Sequence, residues 1–275
     1  MTSPGLKVAE KPSARRGLLA QGWLIQRRVV GALLMREILT RFGRHNIGFL
    51  WLFVEPMLFT LGVTTLWYVV GANHGSSLPI VAFALTGYSS VLLWRNMPAR
   101  CVAAIEPNRA LLVHRRVRPM DLFLARILLE AIGATMSFTL LSLVYLSLGL
   151  MDPPENVLEV IGAWLALAWL GGSLALFIGT LAFFSEIVEK IWHPLSYIIF
   201  PVSGSGFLIS ALPPAGRDAV LYVPMVHGVE MLREGYFGSK VTSIYNIDYL
   251  LIWAAALTVI GLFQLRIIER RIVPG

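Results

Sequence analysis

Residues 160–184 run for 25 positions without a charged side chain. A helix needs about 20 mostly apolar residues to cross a bilayer. In lipid, only helices and closed barrels satisfy every backbone N–H and C=O. Runs of this kind constrain the fold more than any other feature of the chain, and there are five more. Ile47–Ala72 carries Glu55 as its only charge, and Leu78–Trp94 and Ala131–Met151 carry none. Trp192–Leu212 is apolar but punctuated by Pro194, Pro201, Gly204 and Gly206, and Tyr249–Leu265 is the last. Across the 275 residues 56% are hydrophobic and 14% charged, where soluble domains hold about a quarter charged. The expectation is an all-α integral membrane protein with six transmembrane helices.

Charge placement gives the orientation. Segments 1–47, 95–130, 185–191 and 266–275 hold 20 of the 23 lysines and arginines. Segments 73–77 and 152–159 hold none, and 213–248 holds Arg217, Arg233 and Lys240. The excess of basic residues marks the cytoplasmic side, which predicts that both termini are cytoplasmic. The chain then divides into an N-terminal tail (1–46), a membrane domain (47–265) and a short C-terminal tail (266–275). The first 22 residues hold no apolar core followed by a small-residue cleavage site, so the first span is expected to act as an uncleaved anchor. The basic residues flank apolar runs and form no stripe interleaved with aromatics, which argues against nucleic acid as a partner.

Three segments fall outside the simple span pattern. Gly17–Phe42 has no apolar run long enough to cross and carries Arg27, Arg28, Arg36 and Arg41, which predicts an interfacial helix on anionic headgroups. Its apolar residues keep an untidy helical period, so a soluble cytoplasmic helix is the alternative. Ala168, Gly172, Ala175 and Gly179 place small residues on one face of the fourth span, a pattern that lets membrane helices approach closely. Between 209 and 248, Pro213, Pro214 and Pro224 separate two half-apolar pieces, Asp218–Val223 and Met225–Leu232. These predict two short re-entrant or interfacial helices on the outer side before the last span, with a plain loop as the alternative.

Several chemistries are missing. None of the four lysines follows a glycine, so no phosphate-cradling loop is encoded. There is one cysteine, Cys101, and no HExxH or DxD. No metal, cofactor or catalytic residue is expected. The spans also lack the acids and bases of a proton-coupled transporter, so energy for any transport is expected from a separate chain.

Glu55-Pro56 is the exception inside the first span. A carboxylate near mid-helix costs about 2.5–3.5 kcal/mol by insertion scales, so Glu55 is expected to face protein or water. Pro56 frees the Leu52 carbonyl and favours a kink. At about 100° per residue, Gly48, Trp51, Glu55, Phe59 and Gly62 share one stripe, expected to face inward. Leu50, Phe53, Met57, Leu61 and Thr64 lie on the opposite face, expected to meet lipid. Glu55 either satisfies backbone or an arginine within the bundle, or lines a gate. The favoured reading is a lock holding a kinked first helix, with Trp51 beside it as the best pore-lining candidate. Further along, Arg126 and Glu130 stand four apart and are expected to pair on one face.

Three blocks carry a resemblance: "MREILTRFGRHNIGFLWLFVEPMLFTLGV" (35–63), "IEPNRALLVHRRVRPMDLFLARILLE" (105–130) and "LYVPMVHGVEMLREGYFG" (221–238). Together they resemble the type-2 ABC exporter permeases, and among them the KpsM-like capsular polysaccharide export permeases, over roughly residues 25–270 in the same order and spacing. O-antigen and teichoic-acid permeases are cousins of that group. The resemblance implies a homodimer of six-span subunits bound to a separate ABC ATPase subunit, moving a lipid-linked acidic polysaccharide outward across the bacterial inner membrane. In the capsule branch it also implies a periplasmic co-polymerase and an outer-membrane polysaccharide export protein. It makes Asn96–Arg118 the cytoplasmic coupling helix, with Glu106, Asn108, Arg115, Arg116 and Arg118 as candidate ATPase contacts, unless these arginines only anchor topology. Residues 185–190 are the second candidate contact. Pro224, His227, Glu230 and Arg233 match the family's periplasmic re-entrant motif. Arg41 and Arg44 would draw an acidic polymer to the cytoplasmic mouth. The competing readings are a secondary transporter driven by an ion gradient and a membrane enzyme acting on lipid-linked sugars.

Overall fold

Local chemistry sets where the helices start and stop. The computed structural model describes residues 18–42, 48–71, 78–114 and 117–272, and among them every regular element is helical. The order is α1 (Leu18–Phe42), α2 (Gly48–Val70), α3 (Ile80–Cys101), α4 (Arg109–His114), α5 (Pro119–Ser147), α6 (Val157–Phe184), α7 (Glu186–Val202), α8 (Pro214–Val220), α9 (Pro224–Phe237) and α10 (Ile247–Ile272). Pro119, Pro214 and Pro224 occupy the first helical position of α5, α8 and α9, where the missing N–H costs nothing. Asn156 caps α6 by accepting the Glu159 N–H at 3.2 Å. Gly149 (φ 68°) follows the end of α5, and Gly238 (φ 54°) ends α9, both in the left-handed region that glycine enters freely.

Among the described residues four helices are long and apolar enough to cross a membrane: Leu50–Val70 of α2, and α5, α6 and α10. The two other expected spans differ from these. In α3 every residue from Val81 to Trp94 is buried, and Arg95, Asn96 and Arg100 occupy its last turns. A helix apolar all round and covered all round sits inside a bundle. The span expected at Trp192–Leu212 is displaced, because α7 begins at Glu186 and stops at Val202 after 17 residues, with Pro194 and Pro201 inside it. The expected inner loop 185–191 is therefore mostly the start of α7. At its far end Gly204 (φ 82°) turns the chain. Likewise α5 begins at Pro119 rather than Ala131, and α10 runs on through most of the expected 266–275 tail.

α6 is the hub, packing on α3, α9 and α10. The expected small-residue face does part of this work, through Ala175 and Gly179, while Gly171 rather than the expected Gly172 makes the closest approach to α3. A Cβ at Gly179 would stand 2.8 Å from the Cys101 carbonyl oxygen, and one at Gly171 would stand 2.7 Å from that of Leu93. Ala175 is fully buried. Thr180 Oγ1 donates to Gln264 Oε1 at 2.6 Å, tying α6 to α10. Trp164 stacks on Phe138 of α5 (4.6 Å between centroids) while its Nε1 donates to Thr135 Oγ1 at 2.9 Å.

α1 explains its own untidy period. It buries Val30 and Leu33 against the rest of the chain and leaves Trp23, Ile25, Met35 and Leu39 exposed. It has two apolar faces, only one of which is covered.

Candidate functional site

One end of α1, α2, α3 and α5 converges on charge. Glu37 and Arg41, four apart on α1, meet Glu55 of α2, Arg100 at the end of α3, and Arg126 and Glu130 near the start of α5. Arg41 Nη2 lies 3.1 Å from Glu55 Oε2, and Arg100 Nη2 lies 3.3 Å from Glu55 Oε1. Glu130 Oε1 receives Arg41 Nη1 and, at 3.4 Å, Arg100 Nε. Two carboxylates and two guanidiniums thus close a ring across four helices. Beside it Arg126 Nε meets Glu37 Oε1 at 3.2 Å. Arg126 Nη1 donates to the carbonyls of Arg100 (2.6 Å) and Ala103 (2.9 Å), groups that the end of α3 leaves without helical partners. A cavity of about 320 Å³ opens among Glu37, Arg41, Arg100, Arg126 and Glu130.

The ring corrects three expectations. Arg126 and Glu130 do not pair with each other; each has a partner on another helix, and tertiary geometry overrides the four-residue spacing. Glu55 does not face inward: its side chain is 48% exposed, and Trp51 on the same stripe is 49% exposed. α2 buries the other side, with Leu52, Thr60 and Thr64 covered and Met57 and Leu61 packed on the core. Thr64 Oγ1 and Tyr145 Oη share a hydrogen bond of 2.9 Å. The reason is that Glu55 finds its arginines at the flank of the bundle, leaving the apolar face to fill the interior. The helix is unbroken at Pro56, and the Leu52 carbonyl that this proline frees lies where a Cβ on Gly133 would stand 2.9 Å away. Bare backbone of α5 accommodates that carbonyl.

Asn108 is the third correction. It is 3% exposed, donates to the Ala104 carbonyl at 2.8 Å and accepts Arg36 Nη2 at 2.5 Å. It fastens the turn Glu106–Asn108 to α1 and has no free surface for a partner. Glu106 is 67% exposed beside Arg109 (3.8 Å), and Arg118 is exposed just before α5. Arg41 is held in the ring rather than at an open mouth. Arg44, Arg115 and Arg116 lie outside the described residues.

The opposite arrangement occupies α9. Pro224 starts the helix, and His227, Glu230 and Arg233, three apart, share its buried face. Arg233 Nη1 donates to the carbonyls of Gly204 and Phe207 and Nη2 to that of Ser205, all at 2.6 Å. Its guanidinium lies 3.9 Å over the Phe83 ring. Glu230, 3.9 Å from Arg233, accepts the N–H of Ile209 (3.5 Å) and of Ile244 (3.3 Å). His227 accepts the Asn246 N–H on Nδ1 (3.0 Å), so its Nε2 carries the proton given to the Leu221 carbonyl (2.9 Å). Three side chains gather three loops. Burial pulls Arg233 down to about 10, still charged at neutral pH, and pushes Glu230 up and His227 down from their ordinary values.

Reasoning from the sequence missed Arg100 in the ring, Glu37 and Arg36 beside it, and Phe83 and Gly87 beneath Arg233. The spacing of Glu37 and Arg41 was a usable signal for α1. Gly87 gave none, yet a Cβ there would stand 2.1 Å from the Ser205 carbonyl oxygen.

A bundle of long apolar helices with ion pairs gathered at one end and a buried cap is the architecture of an integral membrane protein. The sequence pattern of the ABC-2 type transporter family matches residues 28–237. The chain belongs to that family, a family of transport components rather than enzymes. It is 44% identical over 250 residues to the capsule polysaccharide export inner-membrane protein CtrC of Neisseria meningitidis serogroup B, covering 91% of this chain and 94% of that one. To the capsule polysaccharide export inner-membrane protein BexB of Haemophilus influenzae it is 40% identical over 254 residues, 92% of this chain and 96% of BexB. To the polysialic acid transport protein KpsM of Escherichia coli it is 28% identical over 258 residues, 92% of this chain and 98% of KpsM.

Proposed function

We propose that the chain is the transmembrane permease of an ATP-driven exporter that moves lipid-linked capsular polysaccharide from cytoplasm to periplasm across the bacterial inner membrane. The observation that carries this reading is the match to CtrC over 91% of the chain. The subunit works as a homodimer with a separate ABC ATPase, and the periplasmic co-polymerase and outer-membrane export protein complete the route. Six spans form the membrane domain, α3 and α7 joining the four long helices, with both termini in the cytoplasm. Strong basic bias at the ring end supports that orientation. α8 and α9 then lie on the outer side as the re-entrant pair, Pro224, His227, Glu230 and Arg233 fixing their shape.

Coupling runs through the turn Glu106–Asn108 and α4. Glu106 and Arg118 face the ATPase, and Asn108 transmits its movement to α1 through Arg36. The ring of Arg41, Glu55, Arg100 and Glu130 is the lock that holds α1 and α2 together in one state. Trp51 and Glu55, exposed side by side, face the pore or the second copy.

The test removes the gene from an encapsulated host and restores it with variants. Loss must abolish surface polymer and leave polymer inside the cell; normal surface polymer would refute the export reading. Polymer movement in vesicles of the chain alone, on an ion gradient without ATP, would favour the secondary transporter. The Glu55→Gln variant is expected to lower export while still co-purifying with the ATPase. Full export would refute a charge-dependent lock.

A further inference from the structure

The two halves of α1 treat their arginines differently. Arg36 and Arg41, toward the C-terminal end, are bonded to Asn108, Glu55 and Glu130. Arg27 and Arg28, toward the N-terminal end, are exposed and have no ion-pair partner among the described residues. Beside Arg27 is a cavity of about 210 Å³, walled by Trp23, Val30, Gly31 and Leu34 of α1 and by Leu124 and Leu128 of α5. A Cβ on Gly31 would meet nothing within 4 Å. Gln26 lines this cavity and also a second, of about 530 Å³, whose lining includes Arg118 and Asp121 at the start of α5, the Asp121 carboxylate accepting the Arg118 backbone N–H at 3.1 Å. An apolar slot and a more polar chamber therefore meet at one residue, with unpaired guanidinium groups beside them.

We propose that this cleft binds one anionic diacyl phospholipid of the inner leaflet. An acyl segment fills the slot, and the phosphate and headgroup lie against Arg27 and Gln26. Size selects the occupant: the slot has the liquid volume of roughly seven water-sized groups, enough for a stretch of hydrocarbon and too little for a helix or a polymer of sugars. Past Leu128, the exposed Ile132 one turn further on α5 continues the apolar track. Trp23, 63% exposed, is the residue type that settles at headgroup level. Charge selects the headgroup. A basic residue near an anionic leaflet is worth about fivefold in affinity, and among the described residues no acid is paired with Arg27. The lipid would hold the N-terminal half of α1 on the bundle as the ion-pair ring holds the other half. It is a resident lipid distinct from the cargo, so the proposal stands whichever polymer is exported.

Native mass spectrometry of the full chain in detergent tests this with dioleoyl phosphatidylglycerol and dioleoyl phosphatidylcholine, which differ only in headgroup. One phosphatidylglycerol is expected to stay bound with roughly fivefold or greater preference. Arg27→Gln should reduce that preference about fivefold, leaving phosphatidylcholine retention unchanged. Gly31→Leu should fill the slot and abolish retention of both. Leucine is the better helix former, so α1 does not fray in that variant. Leu124→Trp fills the slot from α5 and should act alike. Equal retention of the two lipids by the unaltered chain overturns the proposal, as does undiminished retention in both slot-filling variants.

Discussion

Arg233 and Arg41 each meet glutamate, but in opposite surroundings. Arg233 and Glu230 are 0% exposed; carbonyls of the 204–207 turn bond Arg233 through Nη1 and Nη2, the N–H groups of Ile209 and Ile244 bond Glu230, and Arg233 Nε is buried without a partner among the described residues. Around Arg41 the ring is graded, from Glu130 at 8% exposed to Glu55 at 48%. A buried pair held by five hydrogen bonds cannot open without leaving charge in a dry interior. A half-exposed ring can exchange partners with water, lipid headgroups or another subunit at small cost. The first builds a rigid cap, and the second is where movement is cheap.

Breaking the cap should therefore cost most. Arg233→Met leaves Glu230 and three carbonyls buried without their partner, a loss of about 3–5 kcal/mol. Thermal unfolding of the purified chain and its amount in membranes should both fall sharply. Adding Glu230→Gln removes the stranded charge and should restore part of the loss. Gly87→Ala attacks the same cap from α3, because its Cβ would displace the Ser205 carbonyl that Arg233 holds. Overpacking of this kind costs about 1–3 kcal/mol, read in the same unfolding experiment. No change on Gly87→Ala would mean that the 203–207 turn is not rigid.

The ring should separate stability from export. Glu130→Gln takes a covered carboxylate from two arginines and should cost about 1–3 kcal/mol. Glu55→Gln, half exposed, should cost less than about 1 kcal/mol, and that part should shrink further in high salt. Export measured beside unfolding should show Glu55→Gln depressing the first far more than the second. Equal, large stability losses for the two variants would erase the distinction between a rigid cap and a labile ring.

Much of this was legible in the sequence where local rules decide. The small residues of α6 and the short helices after Pro213 and Val223 depend on neighbours a few residues away and fell near where the pattern put them, whereas α5 opened at Pro119, ahead of the expected Ala131. The ring was not legible because its bonds join residues 14 to 89 apart, and the local Arg126–Glu130 spacing pointed to the wrong partner. The face of α2 was misread for a related reason. A lone carboxylate in an apolar helix suggests burial, but two long arginines reached Glu55 at the flank of the bundle. In α9 the spacing of His227, Glu230 and Arg233 showed one shared face, while the loops they bind come from distant segments.

His227 offers the mildest way to sharpen the comparison, because proton concentration probes the cap without altering any residue. Its pKa is lowered chiefly by burial, with the hydrogen bond to the Leu221 carbonyl opposing. α9 is 14 residues long, about 21 Å, so this histidine lies in an element too short to span a membrane. The folded cap favours the neutral ring, whose Nδ1 must accept from Asn246. Its contribution is fully present above the unfolded value of about 6.5 and is lost as pH falls from there through the lower folded value. Unfolding temperature followed from pH 7.5 to 5 should therefore fall more for the unaltered chain than for His227→Gln, by no more than about one hydrogen bond, ~1 kcal/mol. Identical slopes would place the ring in contact with water, and the outer cap would then be less dry than its buried Arg233 requires.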